Sequence, residues 1–176
     1  MALHTERADT FKPEPMGVVT ALEKQKDTPQ IVTYTKDKLS YDDIVSTRAK
    51  IKGGYSAGLN IYANATTIWT QLATMKDNNG RPMLISDVVN GQGVIRVLGN
   101  QVKEDDSMLD GEILFSNPSR GYAANVNKEL SVTTENHGKL RNTDYCGYAI
   151  VDGNVVTYKA HALLKASGGA EKTVTK

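Results

Sequence analysis

Residues 59–84 constrain this chain more tightly than any other stretch. Leu59, Ile61 and Ala63 alternate with Asn60 and Tyr62, the period of a half-buried strand. Asn64 follows, and its side-chain oxygen can accept from the free N–H groups of a first helical turn, which marks it as an N-cap. Ile68, Leu72 and Met75 fall at i, i+4 and i+7, one apolar stripe that Ala65 continues and Trp69 adjoins. Asp77-Asn78-Asn79-Gly80 stops the helix, because Gly and Asn tolerate the left-handed conformation of a helix end. The pattern predicts a core of Leu59, Ile61, Ile68, Trp69, Leu72 and Met75, with Ile44 and Ile51 beside it.

Ile44 and Ile51 come from an earlier helix. Ser40-Tyr41-Asp42-Asp43 resembles a capping box, Ile44, Arg48 and Ile51 share a face with Val45, and Gly53-Gly54 ends the helix near Lys52. Upstream, residues 16–22 read as a short apolar strand and residues 31–35, rich in β-branched side chains, as a second. Past Ser86 the helical period vanishes. Residues 94–98, 112–115, 121–124, 129–133 and 145–152 are short strand candidates between Gly, Asn, Pro and Asp. Asp152-Gly153 reads as a hairpin turn into residues 155–158, and residues 160–165 close the fold. The expected class is α+β, a mixed sheet with flanking helices. Residues 1–15 and 167–176, polar and rich in Pro, Gly or charge, read as flexible ends.

A chain of 176 residues supports one ordinary core. A net charge of +1 argues against a strongly basic nucleic-acid binder. Apolar runs of about five residues are too short for a membrane span or a secretory signal core. The single cysteine, Cys146, excludes an internal disulfide framework and fits a reducing compartment; its apolar strand context reads as a buried, inert thiol.

No catalytic constellation emerges. Glu104, Asp105, Asp106 and Asp110 could offer oxygens to Ca²⁺ but lack the ordered ligand spacing, so a solvated loop is the simpler reading. His4, His137 and His161 lie far apart with no ligand spacing for zinc. Gly91-Gln92-Gly93 reads as a turn, Ser119 lies outside any nucleophile elbow, and Lys139-Leu140-Arg141 beside His137 reads as a basic surface turn. No catalytic residue, cofactor or metal is therefore assigned, and no enzymatic turnover is expected.

The order Leu72, Met75, Lys76, Asp77, Gly80, Arg81, Pro82 after a Trp-bearing helix resembles the major capsid proteins of tailed bacteriophages, with the Hong Kong 97-type fold. Residues 98–102 resemble a later strand of that family, with Gln101 where Pro is usual, and residues 163–165 resemble its closing strand. The likeness runs over roughly residues 14–166. It implies a peripheral-domain remnant at 16–34, an axial domain at 35–148, and further peripheral strands at 149–166. It also implies that the N-arm, extended loop and spine helix of the family lie outside this chain. Some members cross-link through a Lys–Asn bond; Asn142 falls near the Asn, but residues 148–150 lack the assisting Glu and no such role is carried over.

The function implied is structural. Copies would associate in pentamers and hexamers of a phage or prophage head, assembled in the host cytoplasm and resident in the virion. DNA would be bulk content rather than a specific partner, no membrane would be involved, and the isolated chain would be monomeric. Encapsulin-like compartments share the fold, and a small mixed α/β binding module or enzyme is the alternative of a different class.

Overall fold

The computed structural model describes residues 15–35, 39–76, 80–89 and 92–167. The chain runs through α1 (Val18–Glu23), β1 (Ile31–Thr35), α2 (Tyr41–Ala49), β2 (Asn60–Ala63), α3 (Ala65–Thr67), β3 (Ile85–Val89), β4 (Gln92–Val97) and β5 (Asn100–Glu104). It continues through β6 (Glu112–Ser116), α4 (Pro118–Gly121), β7 (Tyr122–His137), β8 (Asn142–Val155) and β9 (His161–Ser167). Seven strands form one mixed sheet in the order β1-β9-β6-β2-β5-β4-β3, while β7 and β8 form a separate two-stranded ribbon. β1 is parallel to β9 and β2 to β5; the other neighbours are antiparallel. The class is α+β, as the sequence indicates.

Successive side chains of a strand point to opposite faces, and at the central strands β2, β6 and β9 both faces are covered. Ile61, Ala63, Ile113, Phe115, Ala162 and Leu164 enter one cluster with Ile44, Ile68 and Leu72 from the helices. The intervening Tyr62, Leu114 and Leu163 enter a second cluster with Val18, Val19 and Leu22 of α1. β2 is thus buried on both sides rather than half-buried, because α1 closes the face that alternation had assigned to solvent. Lys165 fastens α1 down, its Nζ lying 2.9 Å from Glu23 Oε1 and 3.6 Å from Glu112 Oε1.

The capping residues behave as read. Ser40 Oγ accepts from Asp42 N at 3.3 Å while Ser40 N donates to Asp43 Oδ2 at 3.0 Å. Asn64 Oδ1 accepts from Thr66 N at 2.6 Å and Thr67 N at 3.4 Å. Asn64 Nδ2 donates to Asp110 Oδ1 at 2.8 Å, so a carboxylate of the acidic loop orients the cap. Ile44, Ile51, Leu59, Ile61, Ile68, Leu72 and Met75 are buried as expected.

Other expectations change. Residues 16–22 are not a strand: Val18–Glu23 is helical, its Ala21 N–H bonded to Gly17 O at 3.0 Å. The β-branched pair Val18-Val19 favours a strand locally, but burial against Leu114 and Leu163 overrides that preference. α2 stops at Ala49, short of Lys52, and Thr47 takes the core position given to Val45, which is exposed. The helix after Asn64 turns π-helical over Ile68–Leu72. Thr70 and Thr74 there donate to the carbonyls of Thr66 and Thr70 at 2.6 and 2.7 Å, a competition that loosens regular α-helical bonding. Trp69 is 58% exposed, not core. It sits about 100° around the helix from Ile68, on the side of exposed Thr66 and Thr70. Residues 77–79 and 90–91, with the ends 1–14 and 168–176, lie outside the described residues. Gln92 and Gly93 begin β4.

The largest difference lies in the ribbon. The short strands expected at 121–124 and 129–133 are one 16-residue strand, β7, against the 14-residue β8. Asp152-Gly153 is not a turn; it lies within β8, opposite Asn125 and Ala124. The reversal falls at 138–141, where Leu140 N donates to His137 O at 3.1 Å and Arg141 takes φ +54°. Gly153 is needed for closeness instead, since the Tyr122 ring lies over it where a Cβ would stand.

Candidate functional site

The ribbon is the part of the molecule whose surface is least explained by its own folding. Its strands reach on the order of 50 Å at about 3.3 Å per residue, and a two-stranded hairpin is marginal by itself in water. Register assigns each side chain to a face. The paired positions Val132 and Gly147, Thr134 and Tyr145, Asn136 and Thr143 lie on one face, with Val126 opposite Val151 nearer the base. Leu130 belongs to the same face: its Cδ1 lies 3.7 Å, and Val132 Cγ2 4.0 Å, from where a Cβ of Gly147 would stand. None of these side chains is charged.

The opposite face carries the charge. Lys128 stacks 4.1 Å from the centroid of Tyr148 and also contacts its hydroxyl. Glu135 pairs with Asp144, and His137 Nε2 lies 3.2 Å from Asp144 Oδ2 and 3.9 Å from Glu135 Oε2. Cys146 is on this face opposite Thr133 and is exposed, contrary to its expected burial, because no layer of the described residues lies over the ribbon there. Two register shifts, between Val126 and Lys128 and between Lys128 and Ser131, place bulges in β7, with Glu129 in the second. Bulges of this kind sharpen the twist of a ribbon.

Among the described residues, the uncharged face is covered only at its base. There Tyr122 and Val155 pack against the cluster formed with α1, and Met16 N donates to Gly153 O at 2.8 Å. Farther out Leu130, Val132 and Tyr145 are 73, 64 and 72% exposed. Leu130, Val132 and Tyr145 thus form an exposed apolar patch within an uncharged strip.

The remaining sequence candidates do not converge. Asp105 Oδ1 accepts from Ser107 N at 3.0 Å and Ser107 Oγ at 2.6 Å, closing its own turn, while Asp110 holds Asn64. His137 is at the ribbon tip and His161 is buried in the sheet; His4 is outside the described residues. Ser119 lies in α4, and Lys139, Leu140 and Arg141 form the tip. Among the described residues no three His, Cys, Asp or Glu side chains gather as metal ligands, and no helix is long and apolar enough to cross a membrane. Burial raises the hydroxyl pKa of Tyr34, opposed by its hydrogen bond to Gln71 and reinforced by Asp43; this is the signature of a core tyrosine.

Sequence reading missed the ribbon face because the bulges in β7 break its period of two. The signal survives in β8, where Thr143, Tyr145, Gly147, Ala149 and Val151 alternate with Asn142, Asp144, Cys146 and Tyr148.

Comparison with known proteins adds a family. The family model described as "Phage capsid family" matches residues 8–166. Among solved structures, the capsid of the native GTA particle aligns with TM-score 0.73 and 19% identity over 94% of this chain and 60% of that one. The holo-SrpI encapsulin complex from Synechococcus elongatus PCC 7942 aligns with TM-score 0.63 and 19% identity over 85% of this chain and 56% of that one. Mycobacterium phage Patience aligns with TM-score 0.57 and 15% identity, over 81 and 47%. At such identities the likeness is one of fold, and the chain spans about 60% of the length of the GTA capsid protein. No curated protein matches it. Because the family match runs without interruption from before α1 into β9, ribbon included, the chain belongs to the phage capsid family.

Proposed function

We propose that the chain acts as part of a phage or prophage major capsid protein, with a structural role among copies of itself and no catalysed reaction. The family match over residues 8–166 carries this reading. The GTA structures, capsids computed with C5 symmetry, support association about an axis. The encapsulin complex has the same fold, and the family description favours the phage shell over that reading. The virion is then its place of residence, the host cytoplasm its place of assembly, and packaged DNA bulk content.

In this reading the axial body is the mixed sheet itself. Strands β1 and β9, from the flanking segments 16–34 and 149–166, join the sheet that the axial segment 35–148 supplies. The ribbon projects from that body and offers its uncharged strip as a contact surface for capsid protein. The test is mass spectrometry of shells purified from cells producing the protein. Peptides from the described residues at the stoichiometry of the major shell component support the reading; their absence from shells, or substrate turnover by the purified chain, overturns it.

A further inference from the structure

A second surface of the molecule shares the character of the ribbon strip. From Asn64 to Met75 the chain carries no charged residue, although charged residues make up 23% of the whole. The helical turns of residues 65–72 bury Ile68 and Leu72 and leave Thr66, Trp69 and Thr70 on the outside. By contrast α2 carries Asp42, Asp43 and Arg48. Covering the Trp69 face strands few polar groups, because the helix already engages its own hydroxyls. Thr70 Oγ1 donates to Thr66 O and Thr74 Oγ1 to Thr70 O, at 2.6 and 2.7 Å. The strip is prepared in the same way: at its outer end Thr143 Oγ1 donates to Asn136 Oδ1 at 2.8 Å.

The two surfaces have opposite relief. Trp69 stands out from its helix, exposed to solvent. On the strip, Gly147 offers no side chain between Tyr145 and Ala149, across from Val132. Among the described residues a Cβ there would meet only Leu130 Cδ1 at 3.7 Å and Val132 Cγ2 at 4.0 Å, so the position is an open dip floored by backbone. A flat ring suits such a dip, and an aromatic side chain buries on the order of 150–250 Å². Within one chain the two surfaces do not meet. Ile68 and Leu72 pack into the cluster on one face of the sheet, whereas Tyr122 and Val155 at the base of the strip pack on the cluster of the other face. A contact between knob and dip therefore joins two copies, and it is heterologous. Strip against strip would be isologous and would stop at a dimer.

We propose that the Trp69 face of one copy docks on the ribbon strip of the next, its indole over Gly147 and against Leu130, Val132 and Tyr145. The docking rests on the capsid reading above and names the surface that the strip meets. Contacts of this kind repeat head to tail, as association about an axis requires. Trp69 is the anchor, because a large rigid ring in a desolvated pocket carries a disproportionate share of binding. The absence of charge on both faces follows from the same contact, since a charge there would be buried without a partner.

Trp69 is the single tryptophan of the chain and so reports on its own contact. As the purified chain is concentrated, association followed by sedimentation should bring a shift of tryptophan emission to shorter wavelength and weaker quenching by acrylamide. Trp69→Ala, at an exposed site, should weaken association at least about tenfold, and Val132→Asp should act alike. Mixing these two variants fixes the polarity. Val132→Asp keeps the indole and Trp69→Ala keeps the strip, so together they should form a one-to-one pair, go no further, and shift the emission of the Val132→Asp chain. A mixture that stays monomeric overturns the docking, as does a Trp69→Ala chain that associates like the parent. Parent association with unchanged emission, the mark of strip against strip, overturns it too, and so does a parent that stays monomeric at every concentration reached. Should Trp69→Ala fail to fold, Thr70→Lys replaces it by placing a charge on the same face, and undiminished association of that variant overturns the proposal equally. None of these outcomes alters the composition of purified shells, so the docking and the capsid reading fail separately.

Discussion

Sheet and ribbon are both extended chain, yet they meet water in opposite ways. At the centre of the sheet, neighbouring residues such as Leu114 and Phe115 enter different cores, so β2, β6 and β9 are packed on two sides. In the ribbon the same alternation separates an uncharged strip from a charged face, and beyond the base none of the described residues packs on the strip. The lesson is that strand pattern alone does not decide stability. An identical period gives a doubly packed centre where helices cover it and an exposed strip where they do not.

The sharpest way to break that comparison is to truncate one apolar side chain in each region. Leu72→Ala removes a fully buried side chain and should cost roughly 2–5 kcal/mol in chemical denaturation. Leu130→Ala in the ribbon should stay within about 0.5 kcal/mol. Equal losses would mean that the ribbon strip is already packed in the free chain.

The junction between the regions comes next. Gly153→Ala would press a methyl into the Tyr122 ring at the base of the ribbon, and overpacking of that kind costs about 1–3 kcal/mol. Tyr122→Leu in the same chain should recover part of that loss, because the displaced group is the ring. Without recovery, the contact is not what makes Gly153 necessary. A smaller effect is due at Asn64. Removing its cap by Asn64→Ala should cost about 1 kcal/mol and lower the melting temperature without changing the fold.

How far the fold was legible follows this division. Asn64, the Ser40–Asp43 box, and the buried positions Ile61, Ile68 and Leu72 were readable because cap, stripe and sheet face are set within a few residues of each other. Residues 16–22 misled because a short apolar run has no period long enough to separate helix from strand, and the contacts that decide it come from β6 and β9. Trp69 misled because it adjoins the apolar stripe in sequence, whereas its angle on the helix points it outward. Asp152-Gly153 misled because the dipeptide has turn chemistry while its actual constraint, the Tyr122 ring, lies some thirty residues away in sequence. The contact strip was hidden for the same reason of distance: its members are assembled across β7 and β8, and bulges interrupt the period in one of them.

The smallest expected effect in energy bears most directly on the comparison. If the strip is a contact surface, the purified chain should still be monomeric at micromolar concentration. The exposed part of the strip is narrow, two strands wide, and contacts burying roughly less than 1,200 Å² in total are generally weak and transient. A heterologous contact that closes a ring would also need further contacts joining one ring to the next before a shell could form. Sedimentation and light scattering should therefore find weak association only when the chain is concentrated, and negative-stain microscopy should find no closed particles. Val132→Asp, a substitution at an exposed site, should leave the unfolding midpoint within about 0.5 kcal/mol of the parent and abolish the association, since it places a charge in the middle of the strip. Thr133→Asp, its neighbour on the charged face, should leave association intact. An equal loss in both variants would place the contact elsewhere on the molecule, and uniform shells from the wild-type chain would mean that the sheet body and ribbon already carry every contact a shell requires.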